Sequence, residues 1–387
     1  MAKKISIVNI DDFPSVQDAI IKAIELIEPD FNFNLLESKK ILLKPNLLRD
    51  NEDACTQPSF VEGVLSYLKK IGVNIENVQI GDSPGQIRMS ASNIAKKVGL
   101  LQVAEKEGVK FVDFEHEVPF HEKVEDAVWL KDYYVSKAVK DCDILINLPK
   151  LKTHGEATIT GAIKNYWGII PGGLKAKYHL LGKNPAQFGE VLADNYAWVI
   201  KNKPNRITVY DLERVMYGTM GPVSGPMKKW NLILAGTDEL ALDLIALNIG
   251  KFNGLDFVPH LKSASERNLG IHNIEEIEIV GLSLEGAQRI APKFKVPGKL
   301  MTRFASIVTG KIVYKITKKI PKLNKKLCKK CGTCNEVCPA EAIEFETGEF
   351  PEFQREKCIS CLCCMEMCPH QAIKAKKRGI LGLFQSY

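Results

Sequence analysis

From the start of the chain to about residue 284, short apolar runs alternate with longer amphipathic segments. The apolar runs have the length and composition of β-strands and lie at residues 5–10, 40–43, 78–81, 109–114, 143–148, 207–211, 232–235 and 277–280. Segments with helical spacing separate many of them, at residues 16–27, 59–71, 92–107, 186–200 and 239–249. Because strands that alternate with helices usually pair in parallel, the pattern predicts an α/β domain with a mainly parallel, doubly wound sheet.

A different pattern follows over residues 286–330, which contain many Lys and Arg residues and no Asp or Glu. This segment predicts a basic amphipathic helix, because apolar side chains recur every four residues at Leu300, Phe304, Val308, Ile312, Ile316 and Ile320. Three roles fit it: a connection packed on the α/β domain, contact with an anionic membrane surface, or steering of an acidic electron carrier. A run of basic residues is weak evidence for nucleic acid, which we do not expect as a partner.

The spacing C-x2-C-x2-C-x3-C-P occurs twice near the end of the chain. In bacterial-type ferredoxins, the last cysteine of each such run ligates the cluster of the other run. The spacing therefore predicts two [4Fe-4S] clusters, one bound by Cys328, Cys331, Cys334 and Cys368 and the other by Cys358, Cys361, Cys364 and Cys338. Structural zinc explains neither the third cysteine nor the proline, and disulfides do not suit a chain without a secretory signal. Cys363 could ligate in place of its neighbour Cys364.

The two cysteine runs also match outside their cysteines, because Glu336 corresponds to Glu366 and Ala342-Ile343 to Ala372-Ile373. An internal duplication of this kind predicts a module with two similar halves. Gly332 is expected to help the first run turn.

The 387 residues exceed what a ferredoxin module needs, so we expect at least two domains. The patterns divide the chain into an α/β domain (1–285), a basic amphipathic linker (286–326), a ferredoxin domain (327–375) and a tail (376–387). The net charge of +7 is mildly positive. With no signal sequence and no apolar run of membrane length, the expected location is the cytoplasm, where Cys55 and Cys142 would be reduced thiols.

Polar residues collect where the predicted strands end. Lys44 and Asn46 follow the second strand, Asp82 follows the third, and further polar groups follow at residues 211–213 and 236–238. In open α/β sheets this carboxyl edge is where ligands bind. Turns are polar in any protein, which explains the Asp, Asn, Gly and Pro content but not the lysines. Asp82 could accept a proton, bind a metal or cap the next helix, and capping is the commonest role at such a place.

The segment from residue 149 to residue 173 is the densest in chemical groups. Lys150, Lys152, His154 and Lys164 lie within it, with Glu156 as the balancing acid. Such a cluster suits a phosphate or carboxylate ligand, although a solvated surface loop is the alternative. Its members and Asp82 supply the candidate catalytic residues, which are Lys150, His154, Lys164 and Asp82. Neither G-x-G-x-x-G nor a Walker A motif follows the early strands, which argues against a conventional NAD or ATP site.

These motifs together resemble the family catalogued as domain of unknown function 362. The resemblance rests on the segments at residues 44–47, 81–85, 149–154, 160–168 and 235–243 and extends over nearly the whole chain. It implies an iron-sulfur protein with a C-terminal two-cluster module and without a settled reaction. It also implies one site that contains Lys44, Asn46, Asp82, Lys150, Lys152, His154, Lys164 and Asn165. Glu239 stands where many relatives have proline, and we expect this difference to affect only the start of the following helix.

The first function hypothesis is an iron-sulfur oxidoreductase that passes electrons through two [4Fe-4S] clusters to or from an anionic small molecule bound at the α/β domain. The alternative is a non-catalytic electron carrier or subunit that docks a partner redox enzyme. A third possibility is that the clusters are structural or redox-sensing. For the first two hypotheses, the expected partner is a redox protein such as a ferredoxin or flavodoxin.

Overall fold

The computed structural model describes residues 3–31, 39–85, 89–182, 184–218, 221–252, 254–294 and 319–377. Within these ranges, a ten-stranded mixed sheet forms the centre of the α/β domain, and a small module built around short two-stranded sheets follows it. Most neighbouring strands of the large sheet are parallel, which confirms the predicted α/β architecture in outline. The predicted basic amphipathic helix falls largely on residues 295–318, outside the described residues.

Twelve strands lie in the described part of the α/β domain: β1 (Lys3–Asn9), β2 (Ile41–Pro45), β3 (Val78–Asp82), β4 (Lys110–Asp113), β5 (Phe120–Lys123), β6 (Asp132–Val135), β7 (Ile144–Leu148), β8 (Lys150–His154), β9 (Thr158–Thr160), β10 (Arg206–Met216), β11 (Met227–Gly236) and β12 (Ile277–Gly281). The sheet order is β12-β1-β11-β10-β7-β2-β3-β4, and β8 and β9 extend it beside β10. β11 is antiparallel to both of its neighbours, β1 and β10. β5 and β6 form a separate hairpin.

Helices cover both faces of the sheet. They are α1 (Val16–Glu25), α2 (Pro58–Lys70), α3 (Ala91–Lys97), α4 (Leu100–Glu107), α5 (Lys137–Asp141), α6 (Ala162–Asn165), α7 (Gly172–His179), α8 (Pro185–Asn202), α9 (Glu239–Ile249), α10 (Pro259–Glu266) and α11 (Leu284–Ile290). Successive strand residues point to opposite faces, so Ile41 and Leu43 pack with α1 to α4, whereas Leu42 packs in the core that includes α6, α8, α9 and α10. No helix in the described ranges is both long enough and apolar enough to cross a bilayer.

Two local predictions were wrong. The helix expected at residues 92–107 is two helices, because Gly99 has a left-handed backbone with φ of 84° between α3 and α4. The segment from Lys150 to His154, where no strand was predicted and a solvated surface loop was the alternative to a ligand site, is strand β8, and all five of its residues are buried. It pairs with β10 on one side and with β9 on the other, so contacts with distant segments decide its conformation.

Glu239 does more than begin a helix. Its buried carboxylate accepts hydrogen bonds from Tyr166 Oη at 2.7 Å, Tyr196 Oη at 3.0 Å and Thr208 Oγ1 at 3.2 Å. Arg206 Nε lies 3.0 Å away and completes a buried ion pair. The carboxylate thus links α8, α9, β10 and Tyr166, which directly follows α6, and the expectation that it affects only the helix start was wrong.

The C-terminal module repeats itself. Its elements are β13 (Lys319–Leu323), α12 (Thr333–Glu336), β14 (Ile343–Glu344), β15 (Glu352–Phe353), α13 (Cys363–Glu366) and β16 (Ile373–Lys377), with β13 paired to β16 and β14 to β15. Gly332 precedes α12 with φ of 76°, and Leu362 precedes α13 with φ of 60°. Glu341 and Gln371, also thirty positions apart, have φ of 48° and 49°. The duplication seen in the sequence is therefore present in the backbone.

Candidate functional site

A cavity of about 400 Å³ lies at the carboxyl ends of β2 and β3, between the α/β domain and the module. Leu47, Met89 and Trp167 give it an apolar part. Its charged side chains are those of Lys44, Lys152, Lys164, Lys175, Asp82, Glu115 and Glu366. Of the residues expected from the sequence to share one site, the cavity brings together Lys44, Asn46, Asp82, Lys152, His154, Lys164 and Asn165. Such a pocket, largely apolar with a few convergent polar groups, is typical of small-molecule sites.

An ion pair between Lys44 and Asp82 lies in the cavity wall. Lys44 Nζ is 2.7 Å from Asp82 Oδ1, and both side chains are almost fully buried. Asp82 Oδ2 also accepts a hydrogen bond from the backbone N–H of Leu47 at 2.6 Å. Burial lowers the pKa of Lys44 and raises the pKa of Asp82, while the opposite charge of each partner counteracts the shift. Asp82 does not cap the following helix, as its motif had favoured, because Ser90 caps α3.

A chain of amides connects Lys152 to the centre of the sheet. Lys152 Nζ donates to Asn46 Oδ1 at 2.6 Å, and Asn46 Nδ2 donates to Asn165 Oδ1 at 2.8 Å. Asn165 Nδ2 in turn donates to Asn147 Oδ1 at 2.7 Å. Lys152 Nζ also donates to the carbonyl of Ala54 at 2.5 Å. Because their donors and acceptors satisfy one another, these side chains hold the cavity wall in one arrangement.

Lys175, which the sequence did not single out, also forms hydrogen bonds within the protein. Its ammonium donates to the carbonyls of Ser83 at 2.9 Å and Pro84 at 2.7 Å, and also to Ser83 Oγ. Burial lowers the pKa of Lys175 to about 8, although nearby Glu115 favours the charged form. A lone lysine on a short helix carries no sequence signal, so only the fold could identify it.

Lys164 differs from the other lysines of the cavity. Among the residues that the structure describes, none forms a hydrogen bond or an ion pair with its ammonium. Burial lowers the pKa of Lys164, and Glu366 and Glu156 lie near enough to oppose that shift. Asp243 positions the start of α6 by accepting from the backbone N–H groups of Ala162 and Ile163 at 2.7 and 3.1 Å. The position of Lys164 is thus fixed by α6, while its ammonium has no bonding partner among the described residues.

Lys150 is placed differently, although the sequence puts it in the same cluster. Its ammonium lies 2.8 Å from Asp211 Oδ2, and neither side chain is exposed. Lys150 does not belong to the lining of the cavity. Its role in the described structure is therefore to pair β8 with β10, where it lies opposite Asp211 in register.

His154 has a defined tautomer. Its Nδ1 accepts hydrogen bonds from the backbone N–H groups of Glu156 at 3.2 Å and Ala157 at 3.1 Å, so this nitrogen carries no proton. Nε2 therefore carries the proton and lies 3.3 Å from Glu366 Oε1 in the module. Burial, together with nearby Lys164, holds the pKa of His154 well below its ordinary value, so the ring stays neutral. Burial raises the pKa of Glu366 to about 7.

The module supplies one wall of the cavity through Val337, Cys363, Glu366 and Met367. It approaches the α/β domain closely at Gly155, where a Cβ atom would lie only 2.8 Å from Leu362 Cδ1. At a second point, Ser224 Oγ donates to Gln371 Oε1 at 3.3 Å. Residues that flank the cysteine ligands proposed from the sequence thus face the same space as the lysines of the α/β domain.

The eight cysteines form two groups of four. We call Cys328, Cys331, Cys334 and Cys368 the first quartet, and they line one small cavity inside the module. The second quartet consists of Cys338, Cys358, Cys361 and Cys364, and it lines another. These are the two groups expected if the last cysteine of each run ligates the cluster of the other run. Cys363 lines neither of them and faces the larger cavity instead.

The surroundings of the quartets suit [4Fe-4S] clusters. Backbone N–H groups of Lys330, Ala342 and Ala372 donate to the sulfurs of Cys328, Cys338 and Cys368 at 3.4, 3.2 and 3.4 Å. Hydrogen bonds of this type tune the reduction potential of a cluster. A zinc site needs its thiolates within about 2.3 Å of one ion. Within the described residues, no group of three or more Cys, His, Asp or Glu is arranged around a single metal ion in this way, whereas the four cysteines of a [4Fe-4S] cluster each bind a different iron.

Two known protein families match the chain, one in the α/β domain and one in the C-terminal module. The family described as domain of unknown function (DUF362) matches residues 41–248, which is more than half of the chain. The chain belongs to the DUF362 family. A second family, described as a 4Fe-4S dicluster domain, matches residues 320–369, which contain both quartets. The DUF362 match contains Lys44, Asp82, Lys152 and Lys164, and the dicluster match contains the opposite wall of the cavity.

One curated relative of this DUF362 protein is the thylakoid-associated protein sll1697 of Synechocystis sp.. It is 29% identical over 266 residues, which are 68% of this chain and 77% of the relative.

Two solved structures resemble parts of the chain. A Thermotoga maritima protein aligns with a TM-score of 0.37 at 16% identity and covers 58% of this chain and 56% of its own. The lactate racemase apoprotein from Thermoanaerobacterium thermosaccharolyticum aligns with a TM-score of 0.39 at 16% identity, over 62% of this chain and 55% of its own. The DUF362 protein thus spans just over half of each of these two proteins, and similarity at this level carries no functional conclusion.

His179, at the end of α7, is a further residue of the cavity lining. Its ring stacks on Phe188, with centroids 4.3 Å apart, and meets the edge of Trp167. His179 Nδ1 lies 3.3 Å from Glu156 Oε2, an ion-pair distance without hydrogen-bond alignment. Burial would lower the pKa of His179, but the Glu156 carboxylate raises it above its ordinary value. A histidine in an undistinguished helix could be placed here only by the fold.

Lys152 should make the folded DUF362 domain more stable as the pH rises above neutrality. Burial lowers the pKa of Lys152 from 10.5 to about 7, so between these values the unfolded chain binds a proton that the folded chain releases. Stability rises with pH wherever the unfolded state binds more protons. Urea unfolding of the anaerobic protein across this pH window should show a smaller rise for Lys152→Met than for wild type. Lys110→Met, at an exposed lysine, should keep the full rise, and equal slopes for all three proteins would contradict the assignment.

Proposed function

We propose that this protein is an iron-sulfur oxidoreductase that exchanges electrons with an anionic small molecule held in the cavity between the DUF362 domain and the module. One observation carries the proposal: Lys164 of the DUF362 domain and Cys363 of the module line the same cavity. Cys363 is the covalent neighbour of Cys364, which belongs to the second quartet. A ligand held by Lys164 would therefore lie against the polypeptide that surrounds that quartet.

We assign one [4Fe-4S] cluster to each quartet, in a module with the fold of two-cluster ferredoxins. The dicluster family match and the cysteine groups in two separate cavities support this assignment. When bound, such clusters supply transfer of single electrons. The second quartet lies close to the DUF362 domain, because Leu362, which lines its cavity, approaches Gly155.

The ligand class follows from the charges of the cavity wall. Lys44, Lys152 and Lys175 have partners within the protein, whereas Lys164 has none among the described residues. An ammonium without a bonding partner in a partly apolar pocket is best paired with a carboxylate or phosphate group of a ligand. The apolar part, with Leu47, would then hold the remainder of a small organic anion and exclude water.

Lys152 could exchange a proton with such a ligand. With a pKa of about 7, it can change its protonation state near neutrality. His154 can donate a hydrogen bond from Nε2, but it supplies no proton, because the ring is neutral and Nδ1 is occupied by backbone donors. A reduction that adds electrons to an organic anion also needs protons, and Lys152 in the wall of the cavity is able to donate one.

Lys164→Ala should weaken anion binding by about tenfold to a hundredfold while the iron content stays normal, because a hydrogen bond to a charged group contributes about 1.5–3 kcal/mol. Binding of phosphate, acetate, pyruvate and fumarate to anaerobic holoprotein is measured by calorimetry. Reoxidation of the dithionite-reduced protein by each anion is followed by visible absorption. The matched control is Lys110→Ala, since Lys110 is exposed at the amino end of β4, away from the cavity.

Two outcomes would count against the proposal. If Lys164→Ala and wild type bind every anion equally, the cavity is not an anion site. If no anion reoxidises the reduced clusters, but a co-purified partner enzyme depends on this chain for activity, the alternative of a non-catalytic electron carrier is correct.

A further inference from the structure

A leucine next to a cysteine of the first quartet is exposed to solvent. Leu327 precedes Cys328 and is 44% exposed, although most large apolar side chains in the described ranges are buried. The lysines at positions 325, 326, 329 and 330 flank it in the chain, and the nearest acidic residue that follows is Glu336. We call residues 325–330 the Leu327 patch.

The cations of the Leu327 patch are held in place without being neutralised. Lys325 Nζ and Lys330 Nζ lie 5.1 and 4.6 Å from the ring centroid of Phe350, which orients both side chains. Asn324 fixes the turn, because its carbonyl accepts from the backbone N–H of Cys328 at 3.1 Å. Among the described residues, no carboxylate forms an ion pair with Lys325, Lys326, Lys329 or Lys330. The patch therefore presents its positive charge to solvent.

The patch also adjoins the first quartet. Lys329 and His370 line the cavity of the first quartet together with its cysteines. Leu362, which lines the cavity of the second quartet, approaches Gly155 of the DUF362 domain. If electrons leave the module toward the cavity near the second quartet, the first quartet is where they enter.

We propose that the Leu327 patch is the docking site of an acidic electron-carrier protein, which delivers electrons one at a time to the cluster of the first quartet. The proposal rests on the electron-transfer function proposed above. In each step one electron leaves the carrier, which is oxidised, and enters the cluster, which is reduced; no bond forms or breaks and no proton moves.

The size and charge of the patch fit such a partner. Complexes between electron-transfer proteins are weak and bury less than about 1,200 Å² in total. One exposed leucine surrounded by lysines is therefore enough to form the apolar centre of such an interface. Complementary charge mainly raises the rate of association and sets the orientation of the partner. A membrane surface fits less well, because stable binding to lipid needs a larger apolar face than Leu327 provides.

The double variant Lys326→Glu/Lys329→Glu tests the docking site in the holoprotein. The probe is an acidic ferredoxin, reduced beforehand and mixed anaerobically in a stopped-flow instrument. We expect its second-order rate constant for reducing the variant to fall about tenfold or more at low ionic strength, and the salt dependence seen in wild type to disappear. Affinity for the oxidised ferredoxin, measured by calorimetry, should fall as well. Leu327→Ala should also slow the reaction without changing its salt dependence.

The controls separate docking from other effects. Lys110→Glu introduces one of the same charge reversals at an exposed site on the DUF362 domain and should behave as wild type. Dithionite should reduce all variants equally, and their iron content should match. Equal rates with ferredoxin for wild type and the double variant would overturn the proposal. So would loss of binding to phosphatidylserine vesicles with unchanged reduction by ferredoxin, because the patch would then be a membrane contact.

Failure of this proposal can be told from failure of the oxidoreductase proposal. If the Leu327 patch variants react as wild type but Lys164→Ala still weakens anion binding, the docking site is wrong and the cavity function stands. If the patch variants slow reduction but no anion reoxidises the clusters, docking stands and the cavity function is wrong.

Discussion

Replacing Cys338 with alanine should lower the iron content of anaerobically prepared protein from about eight to about four atoms per chain, because each [4Fe-4S] cluster holds four irons. Cys338 belongs to the first cysteine run but lines the same small cavity as Cys358, Cys361 and Cys364. Its loss should therefore remove the cluster of the second quartet and spare the other. Iron analysis, together with the intensity of the visible absorption, measures the result.

A double variant decides which quartet Cys338 serves. Adding Cys358→Ala removes a second ligand of the same cluster, so iron should stay at about four atoms per chain. If Cys338 instead ligated the cluster of Cys328 and Cys331, the double variant would lose both clusters and little iron would remain. Cys363→Ala is the matched control and should keep about eight irons, because Cys363 lines neither cysteine cavity.

Asp82→Ala should lower the free energy of unfolding by about 3–5 kcal/mol, the usual cost of removing one partner of a buried ion pair. The change leaves the Lys44 ammonium, whose side chain is 0% exposed, without the carboxylate 2.7 Å away. It also removes the acceptor of the Leu47 N–H. Urea unfolding followed by far-ultraviolet circular dichroism measures the loss.

Removing both charges distinguishes the cost of an unpaired buried charge from the cost of lost packing. Lys44→Met combined with Asp82→Ala leaves no uncompensated charge in the wall, so the double variant should recover part of the stability lost by Asp82→Ala alone. A loss below about 1 kcal/mol for the single variant would be typical of an exposed pair and would contradict the buried arrangement. Lys110→Ala should change stability little, since this lysine is exposed.

Eight of the twelve strands in the described part of the DUF362 domain could be predicted, because each contains a short, continuous apolar run. β2 and β7 are buried along their whole length, and a strand buried on both faces is visible as an uninterrupted run. β8 was missed for the opposite reason. Its sequence Lys-Leu-Lys-Thr-His has the polarity of a surface turn, yet all five residues are buried because distant strands pair with it. The side chains of Lys150, Lys152 and Thr153 find their partners far away in the chain.

The sequence could predict which residues lie near one another at the site, but not the role of each residue. The carboxyl-edge rule correctly indicated that Lys44, Asp82 and Lys152 would meet, because parallel strands end at one edge. The sequence could not separate Lys150, which pairs with Asp211, from Lys164, which faces the cavity. Which way a lysine points depends on its position in the finished sheet. The cytoplasmic location and the partner protein remain predictions.

By itself, the sequence determined the order of the strands and helices that it predicted along the chain, the strand ends that carry polar groups and the grouping of eight cysteines, because these follow from local spacing. The tertiary structure alone decided that Cys363 turns toward the lysines, that Lys175 and His179 join the wall, and that the module closes the cavity. The physical reason is that burial and hydrogen-bond partners arise between segments far apart in the chain, where residue spacing carries no information.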